Sequence, residues 1–118
     1  MNVDIAKLWC AALRDPTARQ GQLQLGALDG SRCCLGVLCD LAVAAEVITV
    51  GTSDECVVYD GQTLSLPKAV LVWAGIRSCK GQYGFWERNI PRTLMGDNDA
   101  GRTFGEIATI IEANVKNL

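Results

Sequence analysis

The sequence predicts a small α+β domain in which three main helices pack with short β-hairpins. Apolar residues recur at helical spacing near both ends of the chain, and an almost wholly apolar stretch lies between them. Two Asp-Gly pairs mark tight turns. With 118 residues, 49% of them hydrophobic, the chain is large enough for one core and too small for two. Residues 1–118 are therefore expected to form a single domain.

The first helix is expected from about residue 2 to residue 15. Asn2 or Asp4 suits its start, because a short polar side chain accepts hydrogen bonds from the first free backbone N–H groups. Asp15-Pro16 ends it, since proline disfavours a helical conformation in the residue before it. The apolar stripe consists of Ile5, Leu8, Trp9, Ala12 and Leu13. This stripe places Trp9 in the core.

Two hairpins are predicted from alternation and turn residues. Glutamine and leucine alternate over 20–25 with the period of a half-buried strand, and Asp29-Gly30 follows. This part of the chain is expected to form a hairpin or a hairpin-like turn. Asp60-Gly61 separates two short strand-like runs, 56–59 and 62–66, and is the strongest hairpin signal in the sequence.

The central helix is expected over about 34–47, where only Asp40 and Glu46 carry charge. A helix that is apolar almost all round is contacted on most of its faces. Gly36 costs such a helix about 1 kcal/mol relative to alanine. Its simplest justification is a second backbone that passes close to the helix at this point.

Two further helices have clear boundaries. Pro67 opens a short helix and Gly75 is its natural stop. The stripe of this helix is Leu66, Ala69, Val70 and Trp73. Thr103 and Glu106 fit a capping box, so a C-terminal helix of about four turns is expected behind them. Its stripe is Phe104, Ile107, Ala108, Ile111 and Val115.

Residues 76–92 show neither the helical nor the strand periodicity of apolar residues, and they are expected to form a long loop. Residues 1–67 carry four basic side chains against eight acidic ones, whereas 68–92 carry five basic residues and only Glu87. Interleaved basic and aromatic side chains can pair a phosphate and stack on a base. The ligand-binding candidates are Arg77, Lys80, Tyr83, Phe85, Trp86, Arg88 and Arg92, with Arg19 and Gln20 as secondary candidates. In the alternative interpretation, Phe85 and Trp86 fold back over the core.

The absence of histidine excludes most nucleophilic and metal chemistry. Cys-His and Ser-His-Asp catalysis and His-containing zinc sites all need an imidazole. The six cysteines form no Cys-x-x-Cys pair, so neither a metal nor a cofactor is expected. Cys33 and Cys34, at the start of the central helix, stand where the dipole favours a thiolate. The apolar sequence that follows favours buried structural thiols instead.

The segment Asp97-Asn98-Asp99 resembles the start of a calcium loop only in part. Its glycine falls one position early, and the twelfth position is Ala108 rather than glutamate, which excludes an EF-hand. Turn and cap hydrogen bonds are the favoured role of these side chains. A His-free hydrolase that uses Asp97, Asp99 and Glu106 remains the third functional interpretation.

Charge and hydropathy limit the partners and the location. A net charge of −2 and a pI near 5.0 argue against binding to duplex nucleic acid. Asp4 and Lys7 interrupt the apolar stretch that a signal peptide needs, and no apolar run approaches the roughly 20 residues that span a membrane. We therefore expect a cytoplasmic protein with reduced thiols and no membrane partner.

Two strings of residues carry a family resemblance. They are Cys33-Cys34-Leu35-Gly36-Val37-Leu38-Cys39-Asp40-Leu41 and Asn98-Asp99 through Gly101 to Phe104 and Glu106-Ile107-Ala108, with further matches at Trp9, Gln20, Leu66-Pro67 and Trp73. In these residues the chain resembles a family of small uncharacterised proteins of bacteriophage and prophage genomes. Arg32 departs from the family pattern, which is usually aromatic there, and 76–92 has no counterpart in it. The resemblance implies phage origin and action in the cytoplasm of an infected bacterium, and it implies no reaction.

We therefore expect a non-enzymatic binding protein that sequesters a small anionic, nucleotide-like ligand. The resemblance implies an accessory, anti-defence role, in which such a protein withholds a nucleotide signal or grips a host protein. The alternative function is a protein-interaction module that inhibits a host protein or binds a second copy of itself.

Overall fold

Five helices and two short antiparallel sheets make up the α+β fold, and the computed structural model describes residues 1–118. The helices are α1 (Val3–Arg14), α2 (Cys34–Ala44), α3 (Lys68–Ala74), α4 (Leu94–Asp99) and α5 (Phe104–Ala113). The strands are β1 (Val50–Thr52), β2 (Val57–Tyr59), β3 (Gln82–Trp86) and β4 (Ile90–Thr93). The main core is one cluster of 27 buried residues. No helix is both long and apolar enough to cross a bilayer.

Helix α1 forms at the predicted position. The Asn2 side chain accepts a hydrogen bond from the Ile5 N–H at 3.0 Å, and the extended Asp15 ends the helix before proline. Helices α2 and α5 pack against α1 and cover the side that carries Trp9 and Cys10. Leu8 is 56% exposed, so the predicted apolar stripe is wrong at this position.

Helix α2 is the buried centre of the fold, as its apolar sequence predicts. Its first residue, Cys34, is fully buried and accepts a hydrogen bond from the Trp9 indole N–H at 2.9 Å on its carbonyl oxygen. A Cβ atom on Gly36 would lie 1.8 Å from the Leu25 carbonyl oxygen. The predicted close crossing of a second backbone is therefore confirmed. The helix ends at Ala44, three residues before the predicted end.

The predicted strand over 20–25 does not form. Within this segment the one β-bridge is that between Gln20 and Arg32. Leu23 has a φ of 68°, which interrupts the extended conformation. The Leu25 N–H donates to the Thr63 carbonyl at 2.7 Å, but the Leu25 carbonyl accepts from the Cys33 N–H at 3.2 Å across the Asp29-Gly30 turn. Gly26 and Arg32 form an antiparallel bridge there, so the predicted hairpin-like turn is present without a regular strand.

For the second predicted hairpin, the turn is confirmed, but the predicted pairing of 56–59 with 62–66 is wrong. Asp60-Gly61 turns the chain with positive φ at both residues, and Tyr59 bridges Gln62. Strand β2 nevertheless pairs upstream with β1, with Val50 opposite Tyr59. The run 62–66 is not free to extend the hairpin, because its backbone groups bond to Leu25 and to Cys79.

Residues 82–93 form a β-hairpin, so the prediction of an irregular loop over 76–92 is wrong for most of its length. Strand β3 pairs with β4, with Trp86 opposite Ile90. A register shift between Gln82 and Gly84 marks a bulge. The turn places Arg88 and Asn89 at positive φ. The bulge breaks the alternation of period two by which a strand is recognised in a sequence.

The remaining helices match the predictions in part. Helix α3 starts after Pro67 and stops at Gly75, which has a φ of 70°. Helix α4, of six residues, was not predicted. Helix α5 begins with the predicted capping box of Thr103 and Glu106, but it ends at Ala113, after about three turns.

Candidate functional site

The β3–β4 hairpin carries most of the predicted ligand-binding residues. Phe85 is 60% exposed and Trp86 is 50% exposed, so the alternative in which both fold back over the core is wrong. Of the three aromatic residues of the hairpin, Tyr83 alone is buried. It marks where the base of the hairpin joins the core, and the two exposed rings stand beyond that point.

Arg92 lies between aromatic rings on this hairpin. The carbon at the centre of its guanidinium group is 4.0 Å from the centroid of the Trp86 ring and 5.2 Å from that of Tyr83. Its Nε is buried and has no hydrogen-bond partner. Cation–π stacking holds the side chain in place without neutralising its charge.

Tyr83 fixes the hairpin to α4. Its hydroxyl donates a hydrogen bond to a carboxylate oxygen of Asp97. Burial and this hydrogen bond raise the pKa of Tyr83, so the hydroxyl keeps its proton at neutral pH. The bond therefore sets the position of the ring against which Arg92 stacks.

Two adjoining clefts, here called the hairpin clefts, open beside β3. Both are lined by Tyr83, Gly84 and Phe85. The first measures about 280 Å³, lies against α5 and includes Arg92, Thr109 and Asn114 in its wall. The second measures about 400 Å³ and includes Arg77, Ser78, Gln82 and Asn117. Gly84 lies in the wall of both clefts, and a Cβ atom on it would meet no atom within 4 Å.

The hairpin clefts bring together four of the nine predicted site residues: Arg77, Tyr83, Phe85 and Arg92. Trp86 joins them indirectly, through its contact with Arg92. Lys80 and Arg88 are exposed and line neither cleft. Arg77 is oriented by the C-terminal segment, because its guanidinium group donates to the Lys116 carbonyl at 2.9 Å.

The two secondary candidates lie away from the hairpin clefts. Gln20 uses its whole amide within the fold: its nitrogen donates to Asn98 and to the Arg102 carbonyl, and its oxygen accepts from the Phe104 N–H. Arg19 bonds to Asp29 and lines a separate cleft of about 300 Å³ beside α1 and α2.

Positive charge around the hairpin is not neutralised by ion pairs. The four ion pairs of the structure are Arg14–Glu112, Arg19–Asp29, Arg32–Asp40 and Arg102–Glu106. None of them involves the five basic residues between 68 and 92. Cations without a nearby carboxylate create a local positive potential that attracts anions.

The cysteine and carboxylate side chains considered for catalysis have structural roles instead. Cys33 caps α2 by accepting a hydrogen bond from the Gly36 N–H, and the Cys34 thiol bonds to the Leu94 carbonyl. Burial raises the pKa of both thiols, which disfavours the thiolate. Asp99 accepts a hydrogen bond from the Leu23 N–H, and Glu106 is held by its capping box.

Asn98 is the side chain whose importance the sequence did not reveal. It is fully buried, and its amide oxygen accepts hydrogen bonds from the Cys34 N–H and from Gln20, both at 3.0 Å. Its amide nitrogen donates to the Gly21 carbonyl at 2.9 Å. Asparagine is common in exposed turns, so only the long-range partners show that Asn98 joins three segments.

Comparison with known proteins gives one match. No curated protein and no solved structure matches the chain. The model of a family described as a domain of unknown function, DUF8296, matches residues 1–115. This match covers nearly the whole chain, including every residue that lines the hairpin clefts except Asn117. The protein is thus a member of the DUF8296 family.

Proposed function

We propose that the protein binds and sequesters a small anionic, nucleotide-like ligand in the hairpin clefts. The observation that carries the proposal is the convergence of Arg77, Phe85 and Arg92 on two clefts that share the Gly84 backbone. The arginines supply phosphate contacts, and the exposed Phe85 ring supplies a surface on which a base can stack.

The state of Arg92 supports an anion as the ligand. No carboxylate pairs with this side chain, and its Nε lacks a hydrogen-bond acceptor. An unpartnered buried donor is costly, and an acceptor that reaches Nε itself, such as a phosphate oxygen, would remove that cost. The stacking on Trp86 and Tyr83 fixes the arginine before the ligand arrives, which lowers the entropy lost on binding.

Sequestration without turnover is the mode of action in this proposal. Asp97, Asp99 and Glu106 each hold a structural hydrogen bond, which leaves them poorly suited to act as an acid–base pair. We place the function in the cytoplasm of a phage-infected bacterium, where withholding a nucleotide signal would blunt a host defence.

Calorimetric titration tests the proposal with inorganic phosphate, nucleoside mono- and diphosphates, and cyclic nucleotides. We expect a nucleotide to bind more tightly than phosphate alone, because only the nucleotide also stacks. The affinity should weaken as salt rises, and the ligand should be recovered unchanged. Failure of every nucleotide to bind would contradict the proposal and favour the protein-interaction alternative.

Two variants test whether the ligand binds in the hairpin clefts rather than elsewhere on the surface. Gly84→Val fills open space, so it should abolish binding while the melting temperature stays the same. Arg92→Gln should weaken binding at least about tenfold, the loss expected when one charge-assisted contact is removed. Arg19→Gln is the matched control, since Arg19 lies in another cleft. Binding by Gly84→Val at the affinity of the parent protein would exclude the hairpin clefts as the site.

A further inference from the structure

The tip of the β3–β4 hairpin presents apolar side chains to solvent. Trp86 and Ile90 are paired directly across the hairpin, so they project from the same face. Both are at least half exposed. Exposed aromatic and aliphatic groups beside arginine are typical of protein interfaces. Arg92 already holds the Trp86 ring, so little freedom is lost when that ring becomes buried.

The β1–β2 hairpin offers a surface that can receive this tip. Strand β1 pairs only with β2, and all three of its residues are exposed. Its outer edge therefore leaves backbone hydrogen-bonding groups free. A shallow hollow of about 410 Å³ lies against the hairpin and is lined by Val50, Val58 and Asp60 among others.

The β1–β2 hairpin is acidic, whereas the β3–β4 hairpin carries two basic residues, Arg88 and Arg92, against one acidic residue, Glu87. Asp54 and Glu55 are exposed in the connection between β1 and β2, and the exposed Asp60 follows β2. None of these carboxylates takes part in an ion pair, and neither do Lys80 and Arg88 on and beside the other hairpin. Unpaired charges of opposite sign on two surfaces steer those surfaces together.

We infer that the Trp86–Ile90 tip of one molecule docks in the β1–β2 hollow of a second copy of this chain. The apolar tip covers Val50 and Val58, and Arg88 approaches Asp60, the acidic residue that lines the hollow. The contact joins two different surfaces, so it is head-to-tail. A hairpin tip buries less than the roughly 800 Å² per partner of a standard interface, so the association is weak and reversible. It uses the tip rather than the hairpin clefts and needs no ligand.

Sedimentation equilibrium tests the inference, with protein from about 10 μM to about 1 mM. We expect concentration-dependent self-association that weakens as NaCl rises from about 0.05 M to about 0.5 M. Ile90→Asp puts a negative charge on the tip, and Val50→Lys puts a positive charge in the hollow. Each change should weaken self-association at least about tenfold, as expected for a central interface residue.

An equimolar mixture of the two variants gives the sharpest test. Ile90→Asp keeps an intact hollow, and Val50→Lys keeps an intact tip. One head-to-tail contact can therefore form between them, and the mixture should contain heterodimers that neither variant forms alone. Self-association in both single variants at the level of the parent protein, or a mixture without heterodimers, would overturn the inference. So would a parent protein that stays monomeric over the whole concentration range.

Three controls exclude trivial explanations. Val72→Asp changes another exposed valine, on α3, and should leave self-association unchanged. Gly84→Val should also leave it unchanged, which separates this inference from the proposed ligand site. Arg88→Glu gives a second tip variant with the same expected loss, in case Ile90→Asp lowers the melting temperature. An effect of Val72→Asp as large as that of Ile90→Asp would contradict docking through the hairpin tip.

Discussion

At the scale of single residues, Gly36 shows how a backbone crossing dictates a side chain. The Leu25 carbonyl oxygen occupies the space into which any Cβ atom at position 36 would project. Glycine is present here despite its low helix propensity, because the Cβ atom of any other residue would push the two backbones apart. Cys33 stabilises the same turn of the helix, because its side chain accepts a hydrogen bond from the Gly36 N–H.

Gly36→Ala is expected to destabilise the protein by about 1–3 kcal/mol, although alanine is the better helix former. Urea unfolding measures the change. Gly51→Ala is the matched control, because a Cβ atom on Gly51 meets nothing within 4 Å and should cost almost nothing. Equal stability of Gly36→Ala and the parent protein would show that the crossing can widen freely.

The buried thiols predict a loss of stability at alkaline pH. Burial raises the pKa values of Cys10, Cys33, Cys34 and Cys39 in the folded protein. The unfolded chain loses these protons at about pH 8.5. Stability that is fully present below this pH should therefore fall as the pH rises above it, since only the unfolded state releases protons there.

Unfolding free energies measured at about pH 7, 8.5 and 9.5 give this slope. These pH values lie below, at and above the thiol pKa of about 8.5 in the unfolded chain. Cys39→Ala removes one buried thiol and should make the slope shallower. Cys79→Ala removes the exposed thiol and should leave the slope as it is. A slope that does not depend on Cys39 would assign the alkaline sensitivity to other groups.

At the scale of elements, helices with local end signals were predictable and strand pairings were not. The start of α1 depends on Asn2 and that of α5 on Thr103, and both signals lie within a few residues of the helix. The partner of β2 depends instead on where 62–66 is held by Leu25 and Cys79. No local pattern contains that information, because these partners are distant in sequence.

Thr103→Ala is expected to destabilise the protein by about 1 kcal/mol, because it removes one half of the capping box of α5. Thr103→Ser keeps the hydroxyl and should retain most of the stability. Thermal unfolding of the three proteins measures the difference. If Thr103→Ser loses as much as Thr103→Ala, the methyl group rather than the cap is responsible.

At the scale of the whole molecule, the charge reversal along the sequence becomes a division of the surface. The four ion pairs all involve arginines outside 68–92, where Lys7 and Lys116 alone stay unpaired, and none of the five basic residues within this segment has a carboxylate partner. Composition therefore located the basic segment correctly. It did not place Arg77 and Arg92 in the walls of two adjoining clefts, because that arrangement depends on a hairpin with a bulge and on the C-terminal segment.

The Asn98 side chain also determines when a growing chain can complete its fold. Its partners Cys34 and Gln20 lie 64 and 78 residues earlier in the sequence. Until residue 98 has left the ribosome, the first turn of α2 lacks the acceptor that its backbone N–H uses in the native state. Contacts of such long range close late and slow folding, so the part of the chain before Asn98 should remain only partly structured during synthesis.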